Sequence, residues 1–232
     1  MNKILLMIFT SAWLGIAHGA VENPIGAMGG VSLDRTRLIL SDGKQSVGIG
    51  IANKNPVPMV VTSWVVDVSG QPSEKFVTTP SIFQIGPNKA ATASIRLVDK
   101  LPEDRESVFW LKVNAAMAGE TDSNVLSAAI GQKIKIFYRP KGLKGDARFA
   151  ATKLIWSYKD GQLIASNPTG ITVSISDLIF DGKATRVAKM ILPFSSYNWN
   201  VKKSEIKSLD KKFTFIDEYG GFYEVNFKVG NK

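Results

Sequence analysis

Hydrophobic and polar residues alternate along most of the chain. Apolar side chains recur at every second position in four segments, at residues 47–51, 91–97, 154–158 and 223–229. Because successive side chains of a β-strand point to opposite faces, each segment predicts a strand with one buried face. The sequence shows no long stretch of helical period with caps at both ends, so the pattern predicts an all-β protein.

Turn signals separate the predicted strands. The clearest is KDGQ at 159–162, which predicts a tight β-hairpin between two alternating segments. Many short strands with closely spaced turns are typical of antiparallel β-sandwiches, and the chain length favours two of them. Proline, glycine and charge mix at 139–147, so we expect two domains, at residues 20–141 and 142–232.

The first residues have the order of a secretory signal. Lys3 precedes an apolar run, and the small residues Ala17 and Gly19 fit cleavage after position 19. We therefore expect residues 1–19 to be a signal peptide and the mature chain to be exported. Later segments fall short of the roughly 18 uninterrupted apolar residues of a spanning helix, so no membrane insertion is expected.

Composition removes several kinds of chemistry. The chain has no cysteine, and its one histidine, His18, lies in the expected signal peptide. Ser-His-Asp and Cys-His catalysis, and zinc sites built on imidazole or thiolate, are therefore excluded for the mature chain. The formal net charge is +9, which in an exported protein favours acidic protein partners or solubility over nucleic acid. We expect no catalytic residue, no metal and no cofactor.

Four segments carry a family resemblance. They are GVSLDRTRLIL at 30–40, LPEDRESVFWLKVNA at 101–115, NVLSAAIGQKIKIFYRP at 124–140 and FIDEYGG at 215–221. In order and spacing they resemble the PapD-like periplasmic chaperones of the chaperone-usher pathway. The resemblance implies two immunoglobulin-like β-sandwich domains in a boomerang arrangement. It also implies a non-enzymatic periplasmic protein that binds, folds and caps pilus or fimbrial subunits and delivers them to an outer-membrane usher.

The resemblance assigns roles to two cations. It implies that Arg37 and Lys135 meet in the cleft and bind the terminal carboxylate of the subunit. A guanidinium and an ammonium can together saturate one carboxylate, so the chemistry is sound. Without the resemblance, both residues would be interpreted as solvated strand charges.

A second role falls on the residues upstream of Lys135. The resemblance implies that Leu126, Ala128 and Ile130 form a donor strand, lent to a subunit that lacks its final strand, which is a form of β-augmentation. In a regular strand these residues and Lys135 occupy opposite faces, unless Gly131 hosts a bulge that changes the phase. The alternative is that the three face their own core. An exposed apolar row would need a subunit or self-association to cover it.

The resemblance also implies an interdomain charge network. Glu106 and Arg139 would join an acidic residue of the second domain, either Glu218 or its neighbour Asp217. The alternative for Glu106 is an exposed charge cluster. The short segment 115–123 resembles the short-loop branch of the family, and Pro58 stands where the family often has a cis proline.

Two other functions remain open. A secreted adhesion or carbohydrate-binding module could use tryptophans as stacking platforms, although their strand positions favour the core. A glycosidase-like enzyme could use Glu106 and Asp217 as its two carboxylates. The tryptophans concerned are Trp64, Trp110, Trp156 and Trp199.

Overall fold

A computed structural model describes residues 30–41, 43–118 and 130–230. The expected signal peptide lies outside the described residues, as do Leu126, Ala128 and most of the short segment at 115–123. Within the described ranges, none of the helices has the length and apolarity that a membrane span requires.

The first sandwich consists of two sheets, with strand orders β1-β3-β7-β5 and β2-β9-β8-β4-β6. Its strands are β1 Val31–Leu33, β2 Arg37–Leu40, β3 Ser46–Asn53, β4 Met59–Val66, β5 Phe76–Thr79, β6 Ile82–Ile85, β7 Ala90–Leu97, β8 Ser107–Met117 and β9 Ile130–Tyr138. Alternate apolar residues such as Ile49, Ile51 and Ile95 are fully buried between the sheets. The chain from β1 to β2 passes from one sheet to the other, because β1 pairs with β3 and β2 pairs with β9.

The second sandwich also has two sheets, with strand orders β14-β11-β10-β17 and β13-β12-β15-β16. Its elements are α1 Ala147–Lys153, β10 Ile155–Lys159, β11 Gln162–Ser166, β12 Val173–Phe180, β13 Lys183–Ile191, β14 Ser196–Asn200, α2 Lys203–Ile206, β15 Lys211–Ile216, β16 Phe222–Asn226 and β17 Val229–Gly230. Aromatic rings fill its core, where Trp156 and Phe213 have centroids 5.2 Å apart.

The structure confirms the all-β prediction and the two β-sandwiches. Each sandwich has its own hydrophobic cluster, and the two clusters share no residue. The predicted KDGQ hairpin joins β10 to β11, and its central residues Asp160 and Gly161 have φ angles of 51° and 81°, as a two-residue hairpin turn requires. The limits at 20–141 and 142–232 stay a prediction.

Two predicted strands differ in detail. Leu154 is the C-cap residue of helix α1, with its N–H donating to Ala151 O, and the strand begins one residue later at Ile155. Asp146 caps the start of this helix by accepting a hydrogen bond from Phe149 N at 2.7 Å. The segment 223–229 divides between β16 and β17, which belong to different sheets. Seven residues of helix are too few to give a visible period, and alternation cannot tell which sheet a strand joins.

The expectation for Pro58 was wrong. Among the described residues, the cis peptide bond lies between Thr79 and Pro80. A proline just before a strand is common whatever its isomer, so the sequence carried only a weak signal at Pro58.

Candidate functional site

Strands β2 and β9 bring the two anchor candidates side by side. They pair in parallel, and Arg37 lies opposite Lys135 in the register. In β9 the even-numbered Ile134 and Ile136 are buried in the first sandwich. The alternation KIKI at 133–136 therefore places its isoleucines in the core and its lysines on the outer face of the sheet, toward the second sandwich.

Lys135 is partly buried at the junction of the sandwiches. Its Nζ donates a hydrogen bond to Ser174 Oγ at 3.2 Å and lies 5.8 Å from the ring centroid of Trp110. Lys133 Nζ lies over the same ring at 4.2 Å. Burial, together with the positive charge of Arg37, lowers the pKa of Lys135 to about 8. A nearby anion would stabilise the charged form of this ammonium.

The guanidinium of Arg37 donates hydrogen bonds to the second sandwich through one of its nitrogen atoms. Its NH1 donates to the backbone carbonyl oxygens of Ile216 and Asp217 in the second sandwich. Its Nε is buried and has no hydrogen-bond partner among the described residues. Burial lowers the pKa of Arg37, against the opposing attraction of Asp217 and Glu218. A buried donor without an acceptor is costly, so the hydrogen-bonding capacity of Arg37 is not fully used by the described residues.

Arg139 joins two carboxylates from different sandwiches. Its guanidinium donates to Glu106 Oε1 from Nε at 2.8 Å and to Glu218 Oε1 from NH2 at 2.8 Å. Glu218 also accepts from Ala147 N at 2.7 Å, and Glu106 Oε2 accepts from Thr172 N at 2.7 Å. Glu106 is only 4% exposed, which contradicts the alternative of an exposed charge cluster. Burial raises the pKa of Glu106, although Arg139 opposes the change.

The carboxylate of Asp217 makes different contacts from that of Glu218. Its Oδ1 accepts from Tyr219 N and Gly221 N, each at 2.9 Å, and its Oδ2 accepts from Arg148 at 3.1 Å. The side chain therefore shapes the turn after β15. Of the two acidic candidates that the sequence left open, Glu218 is the one whose carboxylate contacts Arg139. That this network fixes the interdomain angle stays a prediction.

The carboxylates of the enzyme alternative are both occupied. Glu106 binds Arg139 and Thr172 N, and Asp217 binds one arginine and two backbone amides. Both side chains are also buried, with Glu106 4% and Asp217 2% exposed, so a substrate cannot reach either carboxylate for the proton exchange that general acid-base catalysis requires. Among the described residues, no group of three potential metal-binding side chains occurs.

A close backbone contact between the two sandwiches was not predicted from the sequence. Glu106 N donates to Gly170 O at 2.8 Å, and a Cβ added at Gly170 would lie only 2.8 Å from the carbonyl oxygen of Asp104. The buried side chain of Asn167 shapes this loop by donating to Ile171 O at 2.7 Å. The motif NPTG at 167–170 was the available signal, but a turn motif does not reveal what the turn contacts.

The backbone pairing of strand β9 is regular up to its first residue. It pairs with β8 in an unbroken register from Ile130 to Tyr138, with Gly131 opposite Asn114. The bulge considered at Gly131 is therefore not present in the described strand, and the side chain of Ile130 lies outside the described part of the structure. The donor role of this segment stays a prediction.

The four tryptophans do not form an open binding platform. Trp156 is buried in the second core and stacks on Trp199 at 6.0 Å. Trp64 and Trp110 are half-buried on the outer face of the sheet that contains β9. The ammonium of Lys112 lies 5.9 Å from the Trp64 centroid, and Lys133 covers Trp110. This arrangement disfavours the carbohydrate-binding alternative.

Comparisons with known proteins cover both sandwiches. Residues 30–144 match the family model described as "Pili and flagellar-assembly chaperone, PapD N-terminal domain", and residues 149–227 match "Pili assembly chaperone PapD, C-terminal domain". The chain is 32% identical over 203 residues to the probable fimbrial chaperone LpfB of Escherichia coli O157:H7, covering 85% of this chain and 87% of LpfB.

Solved structures give the same result. The chain is 34% identical over 220 residues to the probable fimbrial chaperone YadV of Escherichia coli K12, covering 86% of this chain and 89% of that protein. The YadV crystal structure has a TM-score of 0.72 at 32% identity, over 86% of this chain and 99% of that chain. The E. coli chaperone DraB has a TM-score of 0.77 at 25% identity, covering 87% of this chain and 97% of that chain.

Proposed function

The chain belongs to the PapD-like family of pilus-assembly chaperones, and from this we infer that it is a chaperone of pilus subunits and not an enzyme. We propose further that it caps each subunit by donor-strand complementation and delivers it to an outer-membrane usher. Curated relatives named as fimbrial chaperones, such as LpfB, support the first inference. The carbohydrate-binding alternative is not favoured.

The carboxylate anchor is the part of this proposal that the geometry supports most directly. Arg37 and Lys135 lie side by side, and among the described residues the ammonium of Lys135 has only the neutral Ser174 as its hydrogen-bond partner. Each charge-assisted hydrogen bond to a subunit carboxylate would contribute about 1.5–3 kcal/mol. We propose that the terminal carboxylate of the subunit completes this site.

The location and remaining partners follow from the same proposal. Residues 1–19 would direct the chain across the inner membrane, so that the mature chaperone meets its subunits in the periplasm. Until a subunit arrives, self-association could cover the donor strand, because exposed apolar strand edges promote association. Size-exclusion chromatography of the mature protein with and without a subunit tests this.

Subunit binding should weaken in alkaline solution. The lowered pKa of Lys135, about 8, belongs to the free protein, and a bound carboxylate raises it because the opposite charge favours the ammonium. Affinity should therefore stay constant below about pH 7 and fall by up to about tenfold per pH unit above pH 8, until the pKa of the bound form is reached. Calorimetric titration with a peptide that ends in a free carboxylate measures this decline.

The stability of the free protein should change in the opposite direction. The ordinary pKa of lysine is 10.5, above the folded value, so the unfolded chain binds more protons between about pH 8 and 10.5. Lys135 therefore makes the free protein more stable as pH rises through this window. Lys135→Met serves as the control, since both trends at this site should disappear with it; an unchanged binding profile in that variant would refute the role of Lys135.

Charge substitutions can show whether Leu126 and Ile130 bind subunits or are buried in the core of the first sandwich. If Leu126 and Ile130 are lent to subunits, Leu126→Glu or Ile130→Glu should abolish subunit capture and leave the melting temperature within a few degrees of wild type. Ile136→Glu is the control, because Ile136 is fully buried in the same strand and a lone buried carboxylate costs several kcal/mol. Thermal unfolding and subunit co-purification decide between the two roles. If the first two variants melt as low as the control, the donor assignment is wrong.

A further inference from the structure

A cavity of about 490 Å³ lies between the sandwiches beside Lys135. The first sandwich contributes Val68, Trp110 and Lys135 to its wall. The second contributes residues of β12, of β13, including Met190, and of the end of β15, together with Leu192 just after β13. A cavity of this size is in the range of small-ligand sites. Val68 is 54% exposed, so this part of the wall is open to solvent.

The charged residues that line the cavity restrict which ligands it can bind. Three cations line the cavity, and no carboxylate occurs among the described residues of its lining. Two of the cations already have partners, since Arg186 pairs with Asp177 at 3.6 Å and Lys189 lies over the Tyr197 ring at 4.6 Å. Lys135 has only the neutral Ser174 as its hydrogen-bond partner among the described residues. A ligand that carries negative charge next to an apolar body therefore suits this wall best.

The last residue of a polypeptide combines these two features. We propose that the cavity holds a large apolar side chain of the subunit's C-terminal residue, while its carboxylate binds Arg37 and Lys135. This proposal rests on the proposed carboxylate anchor and adds a selectivity element to it. Trp110 supplies a flat aromatic wall, and the flexible thioether of Met190 can adapt to side chains of different shape.

Two short peptides test this preference. N-acetyl-glycyl-phenylalanine and N-acetyl-glycyl-alanine share the carboxylate and differ only in the side chain. Burial of the phenyl ring should make the first bind at least about tenfold more tightly. Nuclear magnetic resonance titration of the mature protein gives both affinities, and the indole N–H signal of Trp110 should shift more with the first peptide than with the second.

Filling the cavity with a larger side chain should remove the difference in affinity between the two peptides. Met190→Trp occupies the apolar space, so both peptides should then bind with the affinity of the alanine peptide. Met117→Trp is the matched control, because Met117 is also half-buried but lies at the far end of β8. The control should keep the tenfold preference. A thermal melt of each variant shows that it is folded.

Separate outcomes address the cavity and the anchor. Equal affinity of the two peptides for the wild-type protein would overturn the cavity proposal, and a preference that persists in Met190→Trp would do the same. In either case, the proposed carboxylate anchor is still supported if peptides with a C-terminal amide in place of the carboxylate fail to bind. If amides and acids bind equally, the proposed anchor itself is wrong, and the cavity proposal fails with it.

Discussion

Replacing Arg37 or Lys135 by alanine is expected to abolish subunit capture in a protein that still folds and is still exported. Each substitution removes a charge-assisted hydrogen bond to the subunit carboxylate, which corresponds to a loss of affinity between about tenfold and more than hundredfold. Neither residue belongs to a hydrophobic cluster, so the cores remain intact. Lys135→Ala also removes an ammonium whose pKa is lowered by burial, so little stability should be lost.

Co-purification of subunits with each variant measures this effect, with circular dichroism as the check on folding. Lys133→Ala is the matched control. Lys133 lies on the same face of β9, two residues from Lys135, and its ammonium lies over the same Trp110 ring, but in the register Arg37 is opposite Lys135 and not opposite Lys133. Wild-type recovery of subunits with both anchor variants would refute the anchor.

Arg139→Met is expected to lower the free energy of unfolding by about 3–5 kcal/mol, because it leaves the buried carboxylate of Glu106 without its cation. Among the described residues, Glu106 would keep only the backbone amide of Thr172 as a hydrogen-bond donor. Urea unfolding measures the loss. Arg35→Met is the comparison, since the exposed pair of Arg35 with Asp34 should contribute less than about 1 kcal/mol.

The deficit of Arg139→Met should depend on pH. Burial raises the pKa of Glu106, and the loss of Arg139 raises it further. The folded state then binds more protons than the unfolded state between the ordinary glutamate pKa and the raised one, so stability falls as pH rises through that window. The loss should be larger near pH 8 than near pH 5. Glu106→Gln in the same background should recover most of it; a double variant no more stable than Arg139→Met would contradict this explanation.

The family resemblance named the residues of the candidate site one at a time, and their roles stay predictions. Arg37 and Lys135 lie together as that resemblance implied, and Glu106, Arg139 and Glu218 share one cluster. It did not predict the partners that hold them. Ser174 accepts a hydrogen bond from Lys135, and the backbone N–H of Thr172 donates one to Glu106. Ser174 lies in β12 and Thr172 just before it, and no local motif distinguishes either residue.

The alternation of side chains along each strand was determined by the sequence alone. Ile134 and Ile136 enter the core because a pleated strand sends every second side chain to the same face, and KDGQ forms a hairpin because Asp and Gly tolerate positive φ. These features depend on neighbours within a few residues. They would hold in any fold that buries one face of the strand.

Only the tertiary structure decided how the cleft is built. Lys135 meets Ser174 across 39 positions of sequence, and Arg37 meets Ile216 across 179. The lowered pKa of Lys135 and the cavity beside Trp110 arise from this packing of one sandwich on the other. Burial and electrostatic fields depend on every group within several ångströms, whatever its position in the chain, and therefore no local pattern encodes them.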